Sequence, residues 1–371
     1  MIIGFAGQLR IRQLAMSVLI GALILLCLGC RHQTPPTPPV LSPNAVISSD
    51  ASWPWVGAVE SHPCKGVTNW QAKSTSGTEL QLTEFDFAAN PNLRLELYDQ
   101  DEDDAKPGDD SVEYWSSGVG QVTQHLRKTR GNIIEAWNGL FFTSETQAGR
   151  KLAHHLAPIV LKGKPLYNVG NHRWTFGVKY TSGKPAFKTL HMPDTGMLEK
   201  EFDYAAAGAQ CLILNGKPLN LYPFPHVGDK LERGPFPSTP DQAGHIFDVD
   251  HMKTSRTSIA WNRNSQKFYV LIIKEPDTEV ESALSLHHGK PDNGGWTVAD
   301  LQHFWISMGV FGAVNLDGGD VTQATALRHD GRYDLIPPKW ADGSMRRMFN
   351  GDFAGAPAGG TLMYFYIRDA K

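Results

Sequence analysis

Cysteine is scarce in this sequence. Only four of the 371 residues are cysteine. Two of them fall in the N-terminal apolar region, so Cys64 and Cys211 alone remain for the rest of the chain. In an exported protein these two could form one disulfide. Cys211 lies in an apolar strand-like segment, where a plain buried thiol fits equally well.

Positive charge is not in excess either. The sequence has 38 acidic and 35 basic side chains, which gives a formal net charge of −3. No cluster of Lys and Arg is interleaved with aromatic residues, as a nucleic-acid-binding surface requires. The sequence therefore gives no case for nucleic acid as a partner.

Residues 53–371 contain no convincing linker. Apolar residues make up 41% of the sequence and aromatic residues 10%, which is enough to form a core and excludes wholesale disorder. We therefore predict one domain of the α+β class over residues 53–371, rich in strands, with a few helices packed on twisted sheet. Two intimately packed subdomains are the alternative.

The N-terminal apolar run is somewhat short for a membrane span, which needs ~20 residues. Residues 14–28 carry no charge, Arg10 and Arg12 precede them, and a small residue, Gly29, follows. This pattern predicts a secretory signal over residues 1–30, with an uncleaved membrane anchor as the alternative.

The end of this signal resembles a bacterial lipobox, in which Cys30 is lipidated and becomes the new N-terminus. Cys27 stands where that motif usually has leucine. The Pro-rich residues 31–52 then predict an extended tether. We expect an exported protein, either a cell-envelope lipoprotein held at the membrane by its lipid or a periplasmic or extracellular one.

A helix followed by a strand is predicted near the C-terminal end. Thr297 and Asp300 form a Thr-x-x-Asp capping box, and apolar residues at helical spacing run to a stop at Gly309. Residues 310–316 are mostly apolar and too few for a second helix, so they predict a buried strand.

That strand ends at a carboxylate followed by two residues without side chains, Asp317-Gly318-Gly319. A carboxylate at a sheet edge, with room for a ligand to approach the backbone, is typical of a functional site. Residues 118–138 repeat the order helix, glycine turn, strand, and end at Asn138-Gly139. Two such units would bring Asn138 and Asp317 to the same side of one sheet. The competing interpretation is that both are ordinary hairpin turns.

Much of the remaining chain predicts antiparallel strands. Hairpins are expected to turn at Gly163, at Ser182-Gly183, at Asn215-Gly216 and over residues 262–265. Residues 79–87 alternate apolar and polar side chains, which predicts a strand with one solvated face. Residues 322–335 predict a further strand pair, and residues 361–368 a buried strand that ties down the C-terminus.

Two acidic clusters have residue types that bind divalent cations. The first, Asp99, Asp101 and Asp103, has the spacing of calcium-loop ligands. Asp104 replaces the glycine that such a loop needs, which favours a solvated acidic loop. The second consists of Asp248, Asp250 and His251. A metal site and a plain polar loop are both open there.

Four blocks occur in one order along the chain. They are Asn138-Gly139-Leu140-Phe141-Phe142, residues 205–216 with the sequence AAAGAQCLILNG, Arg256-Thr257 before a hairpin, and residues 295–322, which end in Leu316-Asp317-Gly318-Gly319-Asp320-Val321-Thr322. Together they resemble the phosphodiester glycosidase domain family over residues 80–371. The resemblance implies a hydrolase that cleaves a sugar-1-phosphodiester in a cell-envelope or extracellular glycan.

The resemblance and the chemistry imply roles for three residues. Asp317 would act as base or nucleophile, Arg256 would bind the phosphate through its planar fork, and Asn138 would orient a sugar hydroxyl or the attacking water. The remaining predicted substrate contacts are Gly139, Thr257, Gly318, Gly319, Asp320 and Thr322. Candidates for a second carboxylate are Asp320, Asp248, Asp250 and Glu135.

Two departures from the family pattern bear on activity. Leu140 replaces a glycine, and Asp320-Val321-Thr322 replaces Gly-Ser-Ser. Asp320 adds negative charge where a phosphate should lie. It implies a different substrate, a bound divalent cation or lost activity. The alternative function is a non-catalytic, glycan-binding surface lipoprotein on the same fold.

Overall fold

Antiparallel strands make up most of the structure, as the hairpin signals predict. The computed structural model describes residues 47–103, 112–113, 117–147, 150–167, 174–219, 221–223, 226–227, 230–231, 245–246, 253–276, 294–338, 348–349 and 360–371. All of them belong to one unit, Val40–Lys371. Within this part of the chain the fold is mostly β with few helices, which is compatible with the α+β class.

Three α-helices occur among the described residues: α1 (Val119–Thr129), α2 (Thr195–Glu201) and α3 (Val298–Met308). The strands are β1 (Val59–Ser61), β2 (Val67–Lys73), β3 (Glu79–Asp86), β4 (Leu93–Asp99), β5 (Val112–Glu113), β6 (Asn132–Asn138), β7 (Phe142–Gln147), β8 (Arg150–His155), β9 (Ile159–Leu161), β10 (Lys164–Leu166), β11 (Trp174–Thr181), β12 (Lys184–His191), β13 (Tyr204–Leu214), β14 (Lys217–Pro218), β15 (Tyr222–Pro223), β16 (His226–Val227), β17 (Lys230–Leu231), β18 (His245–Ile246), β19 (Arg256–Trp261), β20 (Lys267–Lys274), β21 (Gly312–Asn315), β22 (Ala324–Leu327), β23 (Tyr333–Ile336), β24 (Met348–Phe349) and β25 (Met363–Asp369). Two 3₁₀ turns, Gln100–Asp103 and Gly319–Val321, complete the elements.

Two large sheets carry the fold. The first has twelve strands, with the central order β1-β2-β3-β20-β19-β21-β13-β11-β12. The second has six strands in the order β24-β23-β22-β6-β25-β4. A separate three-stranded sheet is formed by β5, β8 and β7, and the one parallel pair among the described strands joins β15 to β18.

The two large sheets pack face to face, and a helix covers the outer face of each. Trp137 and Phe365 of the second sheet and Phe268 of the first belong to the core between the sheets. Apolar side chains of α3 pack on the outer face of the first sheet, and those of α1 on the outer face of the second. Each large side chain buried in these layers contributes about 1.5–3 kcal/mol.

The predicted hairpins are confirmed. Lys162-Gly163, Ser182-Gly183 and Asn215-Gly216 turn with positive φ at both residues, as two-residue hairpin turns require. The fourth hairpin joins β19 to β20 through a turn closed by the hydrogen bond from Ser265 N to Asn262 O, 3.1 Å. The strand pair predicted over residues 322–335 is also present, as β22 and β23.

The prediction of a solvated face on residues 79–87 is wrong. Strand β3 lies between β2 and β20, with both of its faces covered. Leu80 and Leu82 face the α3 side, whereas Gln81 and Thr83 are buried on the side of the second sheet. Gln81 and Thr83 therefore face another sheet rather than water, and the apolar positions change face between Leu82 and Phe85.

The capping box at the start of α3 is confirmed. Thr297 N donates to Asp300 Oδ2 at 2.8 Å, and Asp300 N donates to Thr297 Oγ1 at 3.0 Å. Gly309 ends the helix in the left-handed conformation, with φ 66°. Strand β21 then follows and is shorter than the predicted 310–316.

Both remaining cysteines are free thiols. Cys211 is buried and Cys64 half-buried, and burial raises their pKa values to about 12 and about 11. The structure therefore has a buried free thiol at Cys211 and no disulfide between Cys64 and Cys211.

The acidic run after β4 is not a solvated loop at its start. Asp99 and Asp101 are buried, and Tyr167 donates its hydroxyl proton to both carboxylates. His155 contacts Asp99 at 3.1 Å. Burial, reinforced by Asp99, raises the pKa of Tyr167, which keeps this donor protonated. The described residues contain no group of three or more His, Cys, Asp or Glu placed to hold a metal.

Several N-terminal predictions lie outside the described residues. These include the signal over residues 1–30, the lipidation site Cys30 and most of the 31–52 tether. Residues 47–52 are described, and they pack on α3. Among the described helices, not one combines the length and apolar character that crossing a bilayer needs.

Candidate functional site

Asn138 and Asp317 lie next to each other, but they follow strands of different sheets. Asn138 ends β6 of the second sheet, and Asp317 follows β21 of the first. Asn138 Nδ2 donates to Asp317 O at 2.8 Å, and Asp317 N donates to Gly139 O at 3.2 Å. The prediction of one shared sheet is therefore wrong, because sequence periodicity identifies strands but not their partners.

Residues 317–323 form a crossover between the two sheets. The chain leaves β21 in the first sheet, passes through the 3₁₀ turn Gly319–Val321, and enters β22, which pairs with β6 of the second sheet. Likewise, β7 after Asn138-Gly139 pairs with β8 and not with β6. Neither Asn138-Gly139 nor Asp317-Gly318 is a hairpin turn, so that competing interpretation is wrong at both positions.

The side chain of Asn138 holds this crossover in place. Its Oδ1 accepts from Thr257 Oγ1 at 2.7 Å and from Gln323 N at 3.2 Å, while Nδ2 reaches Asp317 O. Asn138 and Thr257 are both fully buried. The polar contacts that the structure gives these two side chains are with the protein, and their predicted contact with a substrate stays a prediction. Gly139 is likewise packed, since a side chain there would collide with Met363.

Arg256 lies against the same crossover from the first sheet. It begins β19, is 4% exposed, and donates from Nε to Trp296 O at 2.9 Å. A Cβ built on Gly318 would lie 2.9 Å from Ser255 O and 3.6 Å from Arg256 Cα. Gly319, with φ 63°, donates its N–H to Ser255 O at 2.7 Å. The two glycines therefore let the crossover approach the backbone of Ser255-Arg256 closely.

Asp317 is more exposed than Asn138, Thr257 and Arg256. It is 9% exposed, and its Oδ1 accepts from Gly318 N at 2.8 Å. The structure thus gathers Asn138, Thr257, Arg256 and Asp317 around one crossover, with Asp317 nearest to solvent.

Two charged residues at the end of β20 belong to this site, and the sequence interpretation missed them. Glu275 Oε2 accepts from Thr254 Oγ1 at 3.1 Å and from Ser255 N at 3.0 Å. Lys274 Nζ donates to Thr322 O at 3.4 Å. Both side chains are 3% exposed. A signal existed, because the apolar run of β20 ends abruptly in a charged pair, just as the apolar run 310–316 ends at Asp317.

Asp320 and Thr322 present oxygens without hydrogen-bond partners among the described residues. These are the buried Asp320 Oδ1, on a half-buried side chain, and Thr322 Oγ1, on a fully buried one. Such atoms are uncommon, and an unsatisfied buried group costs about 1–3 kcal/mol. The turn is therefore a place where a bound polar group would lower the free energy.

The other predicted carboxylates are elsewhere or undescribed. Glu135 is buried between the sheets, with Thr83 and Gln81 of β3 beside it, and its carboxyl oxygens have no hydrogen-bond partner among the described residues. Burial raises its pKa to about 8, and Thr83 and Gln81 oppose that shift. Asp248, Asp250 and His251 lie outside the described residues.

A cleft of about 480 Å³ opens where the edges of the two sheets meet. Gln71, Gln81 and Asp334 line it, and Gln71 Nε2 donates to Asp334 Oδ2 across the sheets at 3.0 Å. Neither Arg256 nor Asp317 lines this cleft. The site is therefore defined by the crossover and its contacts rather than by this cavity.

No protein-family model and no curated protein matches this chain. Solved structures do. The catalytic domain of zebrafish N-acetylglucosamine-1-phosphodiester alpha-N-acetylglucosaminidase, auto-inhibited by its pro-peptide, is 16% identical with a TM-score of 0.47, covering 84% of this chain and 87% of that one. A hypothetical protein from Synechocystis is 12% identical with a TM-score of 0.39, covering 84% and 63%. A protein from Burkholderia pseudomallei K96243 described as exported is 10% identical with a TM-score of 0.43, covering 78% and 74%. These values describe a distant fold relationship and say nothing of what this chain binds.

Proposed function

We propose that this protein is a hydrolase of the phosphodiester glycosidase kind, which cleaves a sugar-1-phosphodiester in a cell-envelope or extracellular glycan. The observation that carries the proposal is the crossover 317–323, because it brings the backbone that directly follows the Asp317 carboxylate into close contact with Arg256. A glycosidic phosphodiester requires both groups, one for the anomeric carbon and one for the phosphate.

Asp317 is assigned to the sugar side. As a base, its carboxylate takes a proton from water, whose oxygen bonds to the anomeric carbon while the bond from that carbon to the phosphate oxygen breaks. As a nucleophile, it bonds to the anomeric carbon first, and water then hydrolyses the glycosyl ester. In both routes the bonding electrons leave with the phosphate, and the carboxylate stabilises the positive charge on the sugar.

One catalytic carboxylate suffices for this leaving group. Glycosidases that expel a sugar alkoxide need a second carboxylic acid to protonate it. A phosphate monoester has a second pKa of about 6, so it leaves without that help at neutral pH. This accounts for a site in which Glu135 lies away from the crossover. Glu275 is bound to Thr254 and Ser255, which suits a positioning role.

Arg256 is assigned to the phosphate, and Asn138 and Thr257 to positioning. The guanidinium donates two parallel hydrogen bonds to phosphate oxygens. Asn138 and Thr257 fix the main chain of the crossover instead of touching the sugar, which revises the role that the sequence implied. Gly318 and Gly319 let the crossover lie against Ser255 and Arg256, and Asp320 and Thr322 offer polar atoms to the substrate.

The test is release of phosphate monoester from a panel of sugar-1-phosphodiesters. The wild type should turn over at least one member, and Asp317→Asn should lower kcat by roughly 10²–10⁴-fold. Asp330→Asn changes an exposed carboxylate that pairs with Arg332 in the turn between β22 and β23; it is the matched control and should keep full activity. No turnover of any member, or equal rates for wild type and Asp317→Asn, would overturn the assignment.

A second candidate function is glycan binding without catalysis. Asp320 favours it, because a second carboxylate in the crossover repels a phosphate by ~1 kcal/mol in water and by several times more in a drier site. Binding of phosphate-free glycans by wild type and Asp317→Asn alike, with no turnover, would establish this function instead.

We also propose that the protein is exported and lipidated at Cys30. The uncharged run 14–28 and the Gly29-Cys30 ending support this proposal. Fractionation of cells that produce the full chain checks it: the wild type should sediment with membranes and Cys30→Ser should not. Recovery of both proteins in the cytoplasm would refute export.

A further inference from the structure

The N-terminal segment 47–55 is bound to the start of helix α3. Ser48 donates to both oxygens of Asp300, from its N–H at 2.7 Å and from its hydroxyl at 3.1 Å. The same Asp300 carboxylate closes the capping box with Thr297. Trp55 stacks on Phe304 one helical turn later, with ring centroids 5.4 Å apart. The segment thus fixes the helix end that is nearest to the candidate site.

Trp296, which immediately precedes the N-cap residue Thr297, links the N-terminal segment to Arg256. The fully buried Trp296 donates from its indole Nε1 to Asp50 Oδ1 at 3.1 Å. Its carbonyl oxygen accepts from Arg256 Nε at 2.9 Å, and its backbone pairs with Thr254 in both directions, at 3.0 and 3.2 Å. The path Asp50–Trp296–Arg256 therefore consists of two direct hydrogen bonds through one residue.

Two glycines precede Trp296, and the first polar contact of this link is the hydrogen bond from Gly295 N to Thr78 Oγ1 at 2.7 Å. Gly294 and Gly295 both have positive φ, 74° and 76°, a conformation that glycine adopts and leaves easily. A side chain at Gly295 would lie 2.5 Å from Thr254 O, so no bulkier residue can stiffen this link. The indole bond to Asp50 adds a side-chain anchor to the backbone contacts of Trp296.

We propose that Asp50 is a positioning residue for Arg256: by holding the Trp296 indole, it fixes the carbonyl that sets the plane of the guanidinium. A free arginine side chain samples many rotamers, so one fixed Nε–H bond preorganises the fork. A displacement of about 1 Å at a positioning group can cost 10²-fold in rate. The inference rests on the proposed function in so far as Arg256 binds the phosphate.

The test compares three single variants in the full-length protein. Asp50→Ala removes the acceptor, Asp50→Asn keeps an oxygen that accepts from the indole, and Ser52→Ala removes a contact with His303 farther along the same helix. Asp50→Ala should raise KM for the cleaved phosphodiester about tenfold with little change in kcat, since Arg256 holds the phosphate throughout the reaction. Asp50→Asn and Ser52→Ala should match the wild type.

Loss of folded protein would instead lower the apparent kcat at constant KM, so the split between the two constants separates positioning from a merely structural role. An unchanged KM in Asp50→Ala, or equal defects in Asp50→Asn and Asp50→Ala, would overturn the inference.

A second measurement stands apart from activity. Backbone hydrogen exchange should accelerate at Thr254 and Trp296 in Asp50→Ala but not in Ser52→Ala, because the bridge between them loosens. Unchanged exchange at Thr254 and Trp296 would refute the link from Asp50 through Trp296 to Arg256. Faster exchange in a protein that cleaves no phosphodiester would refute the proposed function but support this link.

Discussion

Glu135 makes the stability of this protein depend on pH in a way that one substitution should remove. The carboxyl is buried between the two sheets, and burial raises its pKa from 4.5 to about 8. In the unfolded chain it ionises near 4.5. Between these two pH values the folded protein keeps a proton that the unfolded chain releases, so stability falls as the pH rises. Below pH 4.5 both states are protonated and the effect vanishes.

The magnitude follows from the two pKa values. A tenfold change in proton affinity is worth 1.36 kcal/mol, so the pKa values of 4.5 and about 8 correspond to ~5 kcal/mol lost by pH 8. That is a large part of the 5–15 kcal/mol that stabilises a typical domain. Glu135→Gln keeps the shape and the polar atoms but cannot ionise, so it should abolish most of this loss.

Urea unfolding at pH 5, 7 and 9 measures the effect. Relative to wild type, Glu135→Gln should unfold at nearly the same urea concentration at pH 5 and at a clearly higher one at pH 9. Glu199→Gln, an exposed position on α2, is the matched control and should follow the wild type at each pH. A difference between Glu135→Gln and wild type that is the same at pH 5 and pH 9 would refute the reasoning.

Two further predictions concern the crossover. Asn138→Ala should lower the free energy of unfolding by about 2–4 kcal/mol, because it leaves Asp317 O and the Thr257 hydroxyl without their buried partner. Thermal and urea unfolding measure this loss. Thr257→Val removes only one of these hydrogen bonds and should therefore lower the free energy of unfolding by less. A loss below 0.5 kcal/mol would contradict the positioning role of Asn138. Asp320→Asn should lower KM for a phosphodiester several-fold, because it removes ~1 kcal/mol or more of repulsion between the carboxylate and the phosphate. Steady-state kinetics at low and high salt check this. A raised KM would show that the Asp320 carboxylate binds the substrate or a cation instead.

Local sequence signals predicted the elements of this fold well. The capping box at Thr297, the stop at Gly309 and the hairpin turns all appear where the residues place them, because each depends on contacts within a few positions of the chain. Asn138 and Asp317, which the sequence assigned to one site, do lie next to each other, although in different sheets.

Partners distant in sequence were not predictable in the same way. The sequence placed Asn138 and Asp317 in one sheet, whereas they belong to two, because pairing depends on residues far from either. The sequence predicts that Asp99 and Asp101 are solvated, whereas in the structure they are buried beside Tyr167 and His155. Lys274 and Glu275 were missed because their relation to the crossover arises only when β20 lies in the sheet beside β19.

The crossover between the sheets has a consequence for how the site comes apart. Active-site loops usually open at low free energy without disturbing the rest of a protein. Here the segment that carries Asp317 is fastened to one sheet through Ser255 and to the other through Asn138. It can detach only when the sheets separate. The Asp317 and Gly319 amides should therefore exchange their hydrogens no faster than the whole molecule unfolds, and partial denaturation should leave this protein either fully competent or not competent at all.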